Sequence, residues 1–233
     1  MDNPGFFQKT KLGVPLEYIN FKSYFYTNEF YVNKDVLIPR NETEILVEDA
    51  INFINENYHD DFSLYDVGTG SGVIPLTIAA EVKKPIKIKA CDISKEALEV
   101  AKINDDHLFN KFAKGTTIQF EIRDRLLGVS DEFDLITSNP PYIKEVEDKF
   151  QVHHGTDTHE PHMALYLKDD EYDTWFATLF SQVRDCLKVD GLFLMEGHED
   201  HLEEQAKMAE SFFSSVELKK DYTQRPRFLH CKK

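Results

Sequence analysis

The chain has 233 residues, 41% of them apolar, and carries 42 acidic against 27 basic side chains for a formal charge of −15 at pH 7. That length and apolar share suit one well-packed α/β domain with a small appendage, and no apolar run approaches the ~20 residues of a membrane helix. The surplus of acid, with no Lys/Arg-rich run interleaved with aromatics, weighs against direct nucleic-acid binding.

Residues 21–38 are rich in aromatic and β-branched side chains, with turn formers at Asn28 and from Asn33 to Asp35, the composition of a small antiparallel hairpin. A helix is predicted from Asn41. Asn41 serves as its N-cap, Glu44 completes a capping box, and Leu46, Val47, Ala50, Ile51 and Ile54 form an apolar stripe. From residue 62 the pattern alternates. Strands are predicted at 62–67, 86–91, 117–122, 133–138 and 191–196, and helices at 72–81, after a Ser94 cap, at 171–187 and at 199–213. Two closing strands fall near 215–220 and 227–231. Such alternation implies a mostly parallel sheet with helices on both faces and ligands at the carboxyl ends of its strands. Residues 143–168 show no clear period, and a loop of that length is expected to be a functional lid.

Asp66-Val67-Gly68-Thr69-Gly70-Ser71-Gly72 joins the first strand of the alternating region to its helix. Glycines there permit a tight turn and let a ligand approach the backbone beside a helix N-terminus. Asp92, at the end of the next strand and 20 residues beyond Gly72, can accept hydrogen bonds from both hydroxyls of a ribose. A dinucleotide fingerprint would place its last glycine where Val73 stands. The G-x-G-x-G spacing behind Asp66 instead suits S-adenosyl-L-methionine, which has no pyrophosphate to cradle. Asn139-Pro140-Pro141-Tyr142 follows the strand at 133–138. An Asn side-chain oxygen next to a proline carbonyl offers two acceptors for the N–H groups of a planar –NH2, and the Tyr142 ring is expected to lie against that group.

In this order the residues resemble the HemK/PrmC family of protein glutamine methyltransferases, which modify peptide chain release factors. The resemblance covers most of the chain. It rests on Pro15 to Ile19, Val36 to Glu44, Asp66 to Gly72, Asp92-Ile93-Ser94 with Ala97-Leu98, Asn139 to Tyr142, and Glu160-Pro161 with Ala164-Leu165. It implies a Rossmann-like class I methyltransferase fold, a seven-stranded, mostly parallel sheet whose last strand is antiparallel, preceded by the small hairpin. Residues 1–40 would form the extension and hairpin, and 41–233 the catalytic domain. Cofactor contacts are implied for Gly68, Thr69, Gly70, Ser71, Gly72, Asp92, Asp124, Arg125 and Asn139. The catalytic and substrate-binding group is Asn139, Pro140, Pro141 and Tyr142. Two departures stand out. Arg125 occupies the place of a usual aromatic, where its guanidinium can stack on adenine, and only about 14 residues precede Pro15, where members carry a helical domain that grips the release factor.

Two other functions fit parts of this pattern: methylation of an exocyclic base amine, and a cofactor-binding subunit without catalysis. The spacing of His153, His154, His159 and His162 matches no zinc pattern, and they are expected to be solvated loop residues with no metal bound. Scattered Cys91, Cys186 and Cys231, without CxxC or an even framework, are expected to be buried thiols of a cytoplasmic protein. The N-terminal residues Met1 to Thr10 lack a secretory pattern. Glu199, Asp200, Glu203 and Glu204 read as a wet helix face.

Overall fold

The computed structural model describes residue 8 and residues 10–233; residues 1–7 and 9 of the predicted N-terminal extension lie outside the described residues. The chain begins with α1 (Leu16–Asn20), the hairpin β1 (Ser23–Phe25) and β2 (Asn28–Phe30), and α2 (Thr43–Asn57). Alternation follows: β3 (Ser63–Val67), α3 (Val73–Glu81), β4 (Lys87–Asp92), α4 (Lys95–Leu108), β5 (Thr117–Ile122) and β6 (Phe133–Ser138). A strap then carries β7 (Ile143–Lys144), α5 (His154–His159), α6 (His162–Leu165) and β8 (Tyr166–Leu167). The chain closes with α7 (Tyr172–Cys186), β9 (Leu187–Glu196), α8 (Leu202–Ala209), β10 (Ser215–Lys220) and β11 (Pro226–Lys232).

Seven strands form one sheet in the order β10-β11-β9-β6-β3-β4-β5. β11 runs antiparallel to both its neighbours, whereas β9, β6, β3, β4 and β5 are mutually parallel. From β3 the chain builds outward through β4 and β5, then returns to place β6 on the other side of β3. The tips of β3 and β6 therefore flank the switch point where ligands of open α/β sheets bind.

Period-2 alternation sends successive strand residues to opposite faces. Leu64, Leu135, Leu192 and Leu194 pack with α2 and α3, while Tyr65, Ile136, Phe193 and Met195 pack with α7 and α8. Both faces of the sheet are thereby covered. Phe25 and Phe30 of the hairpin meet edge to face and join the core under α2. Val32, Val36 and Ile38 pack with Tyr18 against Ala97 and Val100 of α4. All three cysteines are free, buried thiols, and burial pushes those of Cys91 and Cys231 up to about 12.

Most predicted elements appear within a few residues of their expected bounds, and Ser94 caps α4 by accepting from the Ala97 N–H at 3.1 Å. Two expectations need correction, and one stretch gains detail. The capping box at Asn41 is absent: α2 starts at Thr43 behind Glu42, without a side-chain cap. Glu44 instead accepts from the Tyr26 N–H in the hairpin turn at 2.6 Å, so its carboxylate serves a tertiary contact. Residues 143–168, where no period is legible, carry local structure: β7 pairs in parallel with β8 and the strap is pinned by carboxylates. Asp148 accepts from the Lys144 N–H, Asp169 from the N–H groups of Val146 and Glu147, and Asp157 from the Tyr166 hydroxyl. Polar pins of this kind have no hydrophobic period. Finally, α8 begins at Leu202 rather than 199, and Glu199 is half-buried between Arg225 and Arg227, while Glu203 and Glu204 are exposed as expected.

Candidate active site

The tips of β3, β4 and β6 and the residues just after β5 converge with the segment before α2 and the strap around a cavity of about 630 Å³, within the ~300–1,000 Å³ common for ligand sites. On one side stands the glycine turn. Gly68, Gly70 and Gly72 all have positive φ, at 72°, 54° and 81°, which is strained for residues with a Cβ. A Cβ on Gly68 or Gly70 would meet nothing within 4 Å, so their open sides leave room for a ligand, whereas on Gly72 it would come to 2.8 Å of Leu76 Cδ1. The turn is held by backbone bonds, with Gly68 N–H and Thr69 N–H both donating to the Cys91 carbonyl. Buried Asn104 of α4 ties it to the hairpin, donating to the carbonyls of Ser71 and Tyr31 and accepting from the Tyr31 N–H.

Asp92 is oriented by two backbone donors. Gly70 N–H reaches Oδ2 and Ser94 N–H reaches Oδ1, each at 2.9 Å. Burial raises its carboxyl above the usual range, and these bonds work against that rise. Asp66, fully buried under the turn, takes the Thr137 hydroxyl on Oδ1 at 2.7 Å. Among the described residues neither its Oδ2 nor the neighbouring Thr69 hydroxyl has a hydrogen-bond partner, and burial pushes the Asp66 carboxyl up to about 7. An orphaned buried acceptor beneath an open glycine turn fits a ligand with donor groups or positive charge.

The opposite side is built from side chains. Asn139 Nδ2 donates to Thr43 Oγ1 at 3.2 Å, and the Thr43 hydroxyl donates to Glu196 Oε2 at 2.6 Å. The other Glu196 oxygen accepts from the Tyr142 hydroxyl at 3.1 Å. Neither Asn139 Oδ1 nor the Pro140 carbonyl accepts from another described residue. Glu196 is 1% exposed. Burial lifts its carboxyl above the ordinary range, opposed by Thr43, the Arg227 charge and Tyr142. Sequence reasoning missed Asn104 and Glu196, which belong to no local motif around the glycine turn or the tetrapeptide; Thr43 lies in the Val36 to Glu44 segment that the sequence singles out, without a role of its own there.

Gly68 to Ser71, Asp92, Asp124, Arg125, Asn139, Pro140 and Pro141 all line the cavity, while Gly72 shapes the turn below it. Tyr142 does not line it; its hydroxyl is spent on Glu196, its ring packs on His198, and its carbonyl accepts from Tyr172. Arg125 has its guanidinium committed to both oxygens of Asp124 and to the face of Trp175, 5.0 Å from the ring centroid. It stands at the cavity wall as a flat, fixed cation. Glu160 of the strap accepts from Arg40 at 2.6 Å and from the Ile38 N–H, so the strap is fastened to the segment before α2.

His153, His154, His159 and His162 lie exposed or half-exposed on the strap, where His153 caps α5. Asp148, His198 and His201 instead bring ligand-type atoms within 4.8 Å of one another. Hydrogen bonds account for that cluster: His201 meets Asp148 at 2.8 Å, and His198 Nδ1 accepts from the Asp200 N–H. It clips the strap to the turn after β9.

This fold and cleft define an S-adenosylmethionine-dependent methyltransferase of class I. A family model described as a methyltransferase domain matches residues 58–228. Among solved structures, a ribosomal protein L11 methylase from Lactobacillus delbrueckii superposes with a TM-score of 0.58 at 18% identity, covering 87% of this chain and 84% of that one. A SAM-dependent methyltransferase from Agrobacterium tumefaciens also gives 0.58, at 11% identity, over 88% and 67% of the two chains. Both likenesses concern the fold alone. Sequence relatives are nearer. The release factor glutamine methyltransferase of Shewanella oneidensis is 35% identical over 217 residues, 92% of this chain and 72% of that protein. Its counterpart from Chlorobaculum tepidum is 33% identical over 227 residues, 94% and 74% of the two. The chain belongs to the release factor glutamine methyltransferase family. No helix among the described residues is long and apolar enough to cross a membrane.

Proposed function

We propose that this chain methylates the side-chain amide nitrogen of a glutamine in a protein, and that the substrate is the Gly-Gly-Gln loop of a peptide chain release factor. The observation that carries this reading is the pair of unclaimed acceptors, Asn139 Oδ1 and the Pro140 carbonyl, at the cavity that the glycine turn and Asp92 also line. Family membership supports the choice of glutamine.

S-adenosyl-L-methionine supplies an electrophilic methyl group on a sulfonium when bound. Gly68 to Gly72 would form its backbone cradle, Asp92 would accept from its ribose hydroxyls, and Asp124 and Arg125 would hold it from the cavity wall. Asp66 Oδ2 places an unpartnered oxygen beneath the turn. A carboxamide nitrogen is a poor nucleophile because its lone pair is delocalised into the carbonyl. Asn139 Oδ1 and the Pro140 carbonyl accept its two N–H bonds, which fixes the lone pair toward the methyl group and raises electron density on nitrogen. Both acceptors would bind more strongly as the amide nitrogen gains positive charge on taking the methyl group that the cofactor would supply. Orientation and electrostatics thus lower the barrier. The proton gained in acidity leaves from nitrogen to water, so no prior general base is needed. Tyr142 acts through Glu196 rather than by touching the substrate.

Incubating the protein with labelled cofactor and a purified release factor, then mapping the product by mass spectrometry, tests this. The expected result is one added methyl on the loop glutamine. Label appearing in nucleic acid, with the release factor unmodified, would overturn it.

A further inference from the structure

We infer that Glu196 and Thr43 are positioning residues that set which end of the Asn139 amide faces the cavity. The inference rests on the reading of Asn139 as the acceptor of the substrate N–H.

An Asn amide is nearly symmetric in shape, so packing alone does not distinguish its oxygen from its NH2. Only its hydrogen-bond partners do. Here the choice is forced step by step from one carboxylate. Glu196 ends β9 almost fully buried, and both its oxygens accept, from Thr43 at 2.6 Å and Tyr142 at 3.1 Å. An ionised carboxylate has no proton to give. Thr43 must therefore spend its single hydroxyl hydrogen on Glu196, and its oxygen is left only to accept. Asn139 then satisfies that oxygen with Nδ2, at 3.2 Å, and Oδ1 is the end that remains. Reversing the first step reverses the last. If residue 196 donates to Thr43, the hydroxyl is released to donate to Asn139 Oδ1, and NH2 is presented to the substrate NH2. Two donors would then face each other.

The elements involved are far apart in sequence: Thr43 opens α2, Asn139 follows β6 and Glu196 ends β9. The charge of Arg227 on β11 opposes the rise that burial causes in the Glu196 carboxyl, and its guanidinium is also held by Glu199. The relay thus joins the segment before the glycine turn to the tetrapeptide through one buried charge. A buried charge is costly to keep for stability alone, whereas fixing hydrogen-bond polarity requires it.

The experiment compares four variants with the parent in single-turnover methylation of a release factor, with cofactor affinity measured by calorimetry. Glu196→Gln keeps the shape and introduces a donor; Thr43→Val keeps the shape and removes the relay. Each is expected to lower the methyl-transfer rate by about 10- to 100-fold, the scale for partners that orient a reacting group from behind. Cofactor affinity should stay within about threefold, because neither touches the glycine turn. Thr43→Ser restores the hydroxyl and is expected to recover most of the rate lost in Thr43→Val, which a purely structural role for the residue's bulk would not predict. Asn139→Ala separates the two levels of the argument. If it is inactive while Glu196→Gln and Thr43→Val turn over at the parent rate, the relay is wrong and the reading of Asn139 stands. If Asn139→Ala itself retains the parent rate, the underlying reading fails. Should Glu196→Gln not fold, the Thr43 pair carries the decision unaided.

Discussion

The two sides of the cleft hold their groups by different means. On the β3–β4 side the groups are held chiefly by backbone: three glycines at positive φ, two N–H groups converging on the Cys91 carbonyl, and Asp92 gripped by the amides of Gly70 and Ser94. On the β6–β9 side nearly everything is side chain, with Asn139, Thr43, Glu196 and Tyr142 linked hand to hand. Backbone geometry tolerates changes of neighbouring side chains and suits an invariant ligand. A side-chain chain carries polarity, and one substitution can invert it. The first side is suited to holding a cofactor, the second to discriminating a donor NH2.

The sharpest way to break this contrast is Asn139→Ala. Removing one preorganised partner at a reacting centre costs about 10²–10³ in rate, so kcat should fall by that factor while cofactor affinity changes little; unaltered turnover would erase the distinction. Asp92→Ala is its mirror. Losing a charged acceptor costs roughly 1.5–3 kcal/mol, or about 10- to 100-fold in cofactor Kd by calorimetry, with kcat at saturating cofactor nearly preserved.

Asp66 gives a smaller, thermodynamic test. With its carboxyl pushed up to about 7 by burial, the folded state keeps a proton that the unfolded chain releases near pH 4. Stability contributed this way is present below that lower value, declines as pH rises toward 7, and then levels. Asp66→Asn keeps an acceptor for Thr137 and offers a donor to Thr69. It should raise the Tm by a few degrees at pH 8 and hardly at pH 4, as read by calorimetry; a uniform change across pH would count against the buried charge. The smallest effect is expected at Arg125. Its cation–π and bidentate contacts already bind it to Trp175 and Asp124, and a stacking contribution is worth about 0.5–1 kcal/mol. Arg125→Met should therefore weaken cofactor binding by only about two- to fivefold.

Much of this contrast was legible before folding, and unevenly so. The glycine turn and Asp92 lie within 27 residues of Asp66, and strand–turn–helix spacing alone brings them together. Asn139 to Tyr142 announced themselves by a local tetrapeptide at a strand end. Glu196 had no such signal, and Thr43 was marked only as part of the segment Val36 to Glu44. Thr43 reads as a helix start, and Glu196 as the last residue of an apolar strand, where an acid merely marks an end. The glutamate closes the apolar run GLFLME, and because that strand is paired on both sides in the sheet the residue is buried. The strap was missed for a related reason, since carboxylate pins and a two-residue strand pair leave no period to detect.

By itself, then, the sequence determined the sheet, its helices and the cofactor turn, because those depend on periodicity, glycine conformational freedom and fixed short spacings. Only tertiary structure decided which end of the Asn139 amide Thr43 engages and that the Tyr142 hydroxyl is spent on Glu196. Those outcomes follow from hydrogen-bond donors and acceptors supplied by residues as distant as 43 and 196, and the direction of a hydrogen bond is not written in any one residue's identity.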